Sequence, residues 1–441
     1  MLLITNIKKL VQVEDKKRAN VAGAEMGRLP VLENAWLFIK DGLIEDFGKM
    51  EDIETVFDGN PFSVNHDPHS QDFTVRPDRL IDPGAGIEHI DASGRLVLPS
   101  FCDSHTHLVY AGSREIEYID KIKGLSYQEI AKRGGGILNS AMLLQKTSED
   151  DLYEQSLERA REIIMMGTGA VEIKSGYGLT PEDEMKMLRV IRRLKESTPL
   201  VVRSSFLGAH ALPAKYKGRR REYVDLVVNK MIPMVADEKL ADYIDVFCDH
   251  GFFSVEDTER ILKAGARCGL RGKIHANELG YSGGIQAGVK FKALSVDHLE
   301  FTGEEEIEAL KTSDTMPSLL PGAAFFLGME YPPARRIIEA GLPVALASDY
   351  NPGSSPSGNM KFIMSLGCIK LKMVPEEVIN ATTINGAYAM GVEKETGTIA
   401  RGKTANVYIT AKIPGYEYIP YAFGSNLIET VILGGQIIKS K

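Results

Sequence analysis

From Leu96 onwards the sequence alternates short apolar runs with longer, helically patterned stretches, and few folds accept that rhythm. The runs are Leu96-Val97-Leu98, Ala170 to Ile173, Leu200 to Leu207, Tyr243 to Phe247, Gly272-Lys273-Ile274, Ala293 to Val296, Thr315 to Leu320 and Val344 to Ala347. Strands separated by helices make parallel sheets, and eight of them is the number that closes an α/β barrel of the (β/α)8, TIM-like kind. Between the runs, Thr180-Pro181-Glu182-Asp183 offers an N-cap, a proline at the first helical position and an acidic first turn. Met185, Leu188, Ile191 and Leu194 then recur every three residues, and Val255 to Ala266 and Pro375 to Met390 are patterned alike.

Both chain ends have β character instead. Trp36 to Lys40 and Leu43 to Phe47 flank Asp41-Gly42, a two-residue hairpin signal. After Ile399 come Val407-Tyr408-Ile409 and two runs, Val431 to Leu433 and Gln436 to Ile438, around Gly434-Gly435. The expected architecture is a small β-sandwich domain built from residues 1–95 and 401–441, with a barrel of residues 96–400 inserted between them. Residues 60–86, rich in Pro, Asp, His and Gly, read as a surface excursion of unassigned role. No internal repeat or low-complexity tract stands out.

Composition narrows the partners. The net charge is −8, and Arg219-Arg220-Arg221 is the densest basic cluster. Nucleic-acid surfaces carry a basic bias, so a small-molecule substrate is expected and nucleic acid is not. No apolar run reaches 18 residues, so no membrane span is expected. The N-terminus lacks the charged and apolar regions of a signal peptide. Cys102, Cys248, Cys268 and Cys368 are scattered, with no CxxC pair. That spacing fits reduced thiols in a cytoplasmic protein.

Barrel active sites are built at the C-terminal ends of the strands. The first run leads into Asp103-Ser104-His105-Thr106-His107, the fifth into His275 with Glu278 three residues on, the sixth into Asp297-His298, and the eighth into Ser348-Asp349. A lone His-x-His is a weak pattern. Four histidines and a carboxylate at the ends of four strands of one barrel are a much stronger one. Two histidines at i, i+2 on a strand face the same way and can share one metal. His105, His107, His275 and Asp349 form the expected ligand set for one divalent or trivalent ion, zinc or iron. Such an ion lowers the pKa of a bound water towards ~7. Glu278 is the expected acid and base for both proton transfers. His298 is expected to orient the attacking oxygen or polarise the carbonyl, with Asp349 alongside it in the chemistry. The fourth run ends Phe247-Cys248-Asp249-His250, without a lysine that could be carbamylated, which favours one metal. Lys174, ending the second run, is expected to be structural.

The motifs resemble those of the imidazolonepropionase family of the amidohydrolase superfamily. The stretches that match are His105 to Glu115, Arg133 to Ile137, Glu172-Ile173-Lys174-Ser175-Gly176-Tyr177-Gly178-Leu179, His275 to Glu278, Asp297 to Glu300, and Ser348-Asp349-Tyr350-Asn351-Pro352-Gly353-Ser354, in the family's order. The resemblance spans about Leu98 to Gly402. It implies metal-dependent hydrolysis of the ring amide of 4-imidazolone-5-propanoate to N-formimidoyl-L-glutamate, a step of histidine degradation, by a homodimer. It also implies substrate contacts at Arg114, Tyr177, His210, Glu278, Asn351, Gly353 and Ser354. Arg114 suits the propionate, because a guanidinium takes a carboxylate bidentately.

Two other functions share the same residues in part. A deaminase of a related heterocycle could use the same ligand set. A non-catalytic protein on this fold would be expected to have lost its ligands. Three features depart from the family pattern: the length of the 60–86 excursion, Asn277 beside His275, and an extra histidine, His250, near the barrel mouth.

Overall fold

Two apolar strands follow each other with one residue between them, Ser100, and enter different sheets. This computed structural model describes residues 1–15, 18–53, 79–82, 86–125 and 136–439. Most of the 60–86 excursion, and Arg133 to Gly135 of the glycine-rich motif, lie outside them.

The first sheet is made from both chain ends. Its N-terminal strands are β1 (Leu2–Val11), β2 (Val31–Lys40), β3 (Leu43–Lys49), β4 (Arg79–Asp82), β5 (Ile87–Asp91) and β6 (Leu96–Pro99). One edge of β1 pairs with β2. The other pairs with β5 at its start and β6 at its end. Residues 41 and 42 turn the β2–β3 hairpin with φ of 50° and 81°, the left-handed pair that a tight two-residue turn requires. Inward-facing Ile4, Ile7, Leu10, Leu37, Ile39 and Val97 form one apolar cluster with Val407, Ile409 and Ile432 from the other end of the chain.

The barrel strands are β7 (Phe101–Thr106), β8 (Thr168–Lys174), β9 (Val201–Ala209), β10 (Tyr243–Cys248), β11 (Arg271–Ala276), β12 (Ser295–His298), β13 (Met316–Leu319) and β14 (Ala345–Leu346). They pair in sequence order, each parallel to the next. The chain then returns to the first sheet as β15 (Val407–Thr410), β16 (Ile428–Leu433) and β17 (Gln436–Lys439).

Two expectations need correction. The run Leu96-Val97-Leu98 is not the first barrel strand. As β6 it is held between β1 and β15, and the barrel begins at Phe101. Pro375 to Met390 is two helices, Pro375–Thr382 and Ile384–Ala389, broken at Thr383, whose hydroxyl is engaged by Ile379 O at 2.5 Å and by Gln12 Oε1 at 2.6 Å. The helix Pro181–Ser197 starts as its sequence predicts. Thr180 Oγ1 accepts from Asp183 N at 3.1 Å, and Met187, Leu188, Val190, Ile191 and Leu194 are buried against the barrel. Each such burial contributes roughly 1.5–3 kcal/mol. Among the described residues, no helix is long and apolar enough to cross a membrane.

β14 is only two residues long, so the barrel seam closes beyond it. Ser348 N donates to Asp103 Oδ1 at 2.9 Å, Asp349 N to His105 O at 3.0 Å, and His107 N to Tyr350 O at 2.9 Å.

Candidate metal centre and active site

His105 and His107 sit at the end of β7 with one residue between them, so both rings turn to one side. Their Nε2 atoms lie 3.6 and 3.7 Å from Asp349 Oδ1. His275, near the end of β11, brings its Nε2 to 3.3 Å from that of His107. All four side chains are buried. His105 Nδ1 lies 2.7 Å from Asp297 Oδ2, and His275 Nδ1 3.1 Å from Asp245 Oδ1. A proton on each Nδ1, given to its carboxylate, leaves the Nε2 lone pair facing the centre.

Two lone pairs, a third imidazole nitrogen and a carboxylate oxygen, aimed at one buried point, need a cation among them. His105 Nε2 has no hydrogen-bond partner among the described residues. Four ligand atoms bound at about 2.0–2.2 Å to a tetrahedral ion stand roughly 3.3–3.6 Å apart, close to the spacing found. The residues therefore fit a metal ion. Burial, with the neighbouring cationic and imidazole groups, holds His105 and His107 well below the usual histidine range, so both are neutral as ligation requires.

Below the ligands lies a fully buried charged layer. Lys174 Nζ donates to Glu172 Oε1 at 2.6 Å and Asp245 Oδ2 at 2.7 Å, and stands 3.5 Å from Asp297 Oδ2. Lys273 pairs with the other oxygen of Glu172 and also reaches Ser104 O at 3.1 Å. Ser295 Oγ fixes Asp297 Oδ1 at 2.5 Å. The carboxylates that orient His105 and His275 are thus themselves held by Lys174.

A cavity of about 390 Å³ opens above this centre. His107, His210, His275, Glu278, His298 and Asp349 line it, as do Arg114, Tyr177, Asn351, Gly353 and Ser354, so every expected site residue except the deeper His105 reaches its wall. His298 Nε2 lies 3.7 Å from Glu278 Oε2. Burial disfavours the His298 proton, but Glu278, Glu300 and Asp349 outweigh that and raise it to about 10. Burial pushes Glu278 up to about 7, against the pull of His298. His298 and Leu299 both have left-handed backbones, with φ of 84° and 70°. Asp349 also does, at 54°. Each costs of order 1–2 kcal/mol and aims a strand-end side chain inward.

Tyr177 is carried by a loop wrapped around one buried carboxylate. Glu184 accepts from Gly176 N at 3.0 Å, Gly178 N at 2.8 Å and Leu179 N at 2.9 Å. His210 gives its Nδ1 to Gly176 O at 3.1 Å and stacks on His107, ring centroids 5.0 Å apart. Burial and the nearby His275 lower it to about 3, so it is neutral. Arg114 is fixed by Glu117, with Nε and Nη2 donating to Oε2 at 2.8 and 2.5 Å. Gly353 makes room for that guanidinium, since a Cβ there would sit 2.0 Å from Nη1.

Asn351 uses its side chain within its own turn. It donates to Asp349 O and Ser354 Oγ, both at 2.7 Å, and accepts from Gly353 N and Ser354 N, both at 2.8 Å. Ser354 Oγ in turn reaches Asp349 Oδ2 at 3.2 Å, which leaves Oδ1 for the centre. His250 is exposed and does not line the cavity.

The Amidohydrolase family profile matches residues 96–438. An imidazolonepropionase of Flavobacterium johnsoniae is 55% identical over 436 residues, covering 99% of each chain. The chain belongs to the imidazolonepropionase family of amidohydrolases. Another relative of that name, from Alkaliphilus oremlandii, is 40% identical over 99% of this chain and 98% of its own. Among solved structures, a triazine hydrolase variant superposes with a TM-score of 0.71 at 15% identity, over all of this chain and 94% of that one. Escherichia coli guanine deaminase does so with 0.71 at 13%, over 100% and 99%. Identities that low establish a shared fold and nothing more.

Sequence reasoning assigned no role to four residues that build this amidohydrolase's site. Asp245 and Asp297 orient ligands, and Glu184 and Glu117 hold the loops that carry Tyr177 and Arg114. The signal for the first two was present. A carboxylate inside an apolar barrel strand, as in Tyr243-Ile244-Asp245-Val246, has no place in a core unless something there needs it.

Proposed function

We propose that this amidohydrolase opens the ring of 4-imidazolone-5-propanoate to give N-formimidoyl-L-glutamate, using one zinc or iron ion held by His105, His107, His275 and Asp349. The observation that carries the reading is the convergence of those ligand atoms at the floor of the cavity that Glu278 and Arg114 line. The ion's contribution would be to acidify the attacking water and polarise the ring carbonyl.

The chain's own residues supply the rest. Water oxygen adds to the ring carbonyl carbon, and Glu278 takes its proton. The bond from that carbon to the adjacent ring nitrogen then breaks, and Glu278 returns the proton to the departing nitrogen. A carboxyl group poised near neutrality suits both transfers. His298, kept cationic by its three acidic neighbours, is placed to donate a hydrogen bond to oxygen as negative charge develops. Tyr177 and neutral His210 bound the ring, and Arg114 addresses the propionate.

The test is an assay with freshly generated 4-imidazolone-5-propanoate. Loss of its absorbance with formation of formimidoylglutamate, identified by mass, and no release of ammonia is expected. Ammonia release on this or a related ring would give the deaminase reading the site instead. Metal analysis of the purified chain should find about one ion per chain. The same reading takes the enzyme as a cytoplasmic homodimer, which cell fractionation and sedimentation check.

A further inference from the structure

We propose that Lys121 is a specificity-determining residue, the cation that selects a carboxylate on the substrate's side chain. The inference rests on the substrate reading above. It begins with the helix Glu115–Ile122, for which Arg114 is the N-cap residue. Positions 114, 117 and 121 fall at i, i+3 and i+7, so all three share one face. Arg114 and Lys121 on that face both line the cavity.

The two cations are not equivalent. Arg114 is already matched, since two of its nitrogens donate to Glu117 Oε2 and the other oxygen of Glu117 accepts from Gly136 N at 2.9 Å. The pair is neutral as a unit, and it is fixed in place. Its remaining donors give direction to an incoming carboxylate but little net charge. Lys121 has no ion-pair partner among the described residues. Among those residues its Nζ has one long hydrogen bond, 3.5 Å to Gly353 O, and it stands 5.6 Å from the centre of the Phe326 ring. Half-buried, it is held below the usual lysine range by desolvation and by Arg114, with Glu117 opposing. An anion between Arg114 and Lys121 would relieve that. The net positive charge of this wall therefore belongs to Lys121, whose ammonium is only loosely held beside Gly353 O.

Sequence patterning gave no reason to single out this residue among the chain's lysines and arginines. Its placement next to the paired Arg114 does. A carboxylate recognised here meets a rigid guanidinium on one side and a mobile ammonium on the other. A neutral side chain of the same length would strand both, so the wall discriminates by charge and not only by shape.

The test compares two stable probes, imidazole-4-propanoate and its amide, as competitive inhibitors of the metal-loaded enzyme. Lys121→Gln is expected to weaken the acid about tenfold while leaving the amide within about twofold, and Lys121→Arg to recover most of the loss. With 4-imidazolone-5-propanoate itself, KM should carry the loss and kcat far less of it. Unchanged binding of the acid by Lys121→Gln, or an equal loss for acid and amide, overturns the proposal. A parent enzyme that does not hydrolyse the imidazolone at all removes the substrate reading, and this inference falls with it. A parent that turns over while Lys121→Gln matches it in KM removes Lys121 alone.

Discussion

Two polar clusters are buried in this barrel, one at its mouth and one in its interior, and they differ in how completely their groups are matched. In the inner layer Glu172, Lys174, Asp245, Lys273 and Asp297 all engage one another or a backbone carbonyl. At the mouth, His105 Nε2 and His107 Nδ1 have no hydrogen-bond partner among the described residues, His298 Nδ1 and Glu300 face each other only across 3.9 Å, and Asn277, His298, Leu299 and Asp349 hold left-handed backbones. Matched buried charge holds a structure in one arrangement. Unmatched buried polarity is destabilising and persists where a ligand or a reacting group completes it. The difference separates the residues that hold the site from those that act in it.

The sharpest way to break the mouth is His107→Ala. Metal content and turnover should vanish together while the fold survives, measured by elemental analysis and circular dichroism. Normal turnover without metal would remove the hydrolytic scheme. Glu278→Gln comes next. It cannot cycle a proton, so kcat should fall about 10²–10⁴-fold while metal content stays near that of the parent. Loss of the metal instead would make Glu278 a ligand.

In the inner layer, Lys174→Met leaves Glu172, Asp245 and Asp297 with one cation in place of two. Breaking a buried ionic network in this way costs about 3–5 kcal/mol, so denaturant unfolding should show a large loss before any assay is run. A variant as stable as the parent would mean that the layer is not structural. The smallest effect is expected from Glu184→Gln, which turns one acceptor oxygen into a donor facing backbone N–H groups. Stability should fall by roughly 1–3 kcal/mol and KM should rise severalfold as the Tyr177 loop loosens. An unchanged KM would detach that loop from substrate binding.

The mouth was legible in the sequence because its residues sit at strand ends, where spacing alone predicts convergence. His105, His107, His275, His298 and Asp349 converge, and Glu278 lines the cavity above them. The inner layer was less legible. Glu172 and Lys174 stand two apart on β8, but their partners come from β10, β11 and β12, and only the closed barrel brings them together. Glu184 was hidden for another reason. In Pro181-Glu182-Asp183-Glu184 an acidic first turn already has a sufficient explanation in the helix dipole, and its grip on the preceding loop is a matter of three dimensions. The first strand was misplaced because an apolar run such as Leu96-Val97-Leu98 is equally at home in either sheet, and only pairing with β1 and β15 decides.

The seam of the barrel carries one more consequence. With β14 only two residues long, the first and last strands are joined by a few hydrogen bonds between Asp103–His107 and Ser348–Tyr350, segments some 245 residues apart in sequence. His105 and His107 lie on one side of that seam and Asp349 on the other. An ion held by the three residues would act as a clasp on the barrel, pulling together the two ends of a long chain loop whose closure is entropically costly. Occupancy of the site and integrity of the barrel would then be one equilibrium: an ion that binds only the closed form raises the unfolding free energy by RT ln(1 + [M]/Kd), and its removal would weaken the fold at this seam before anywhere else.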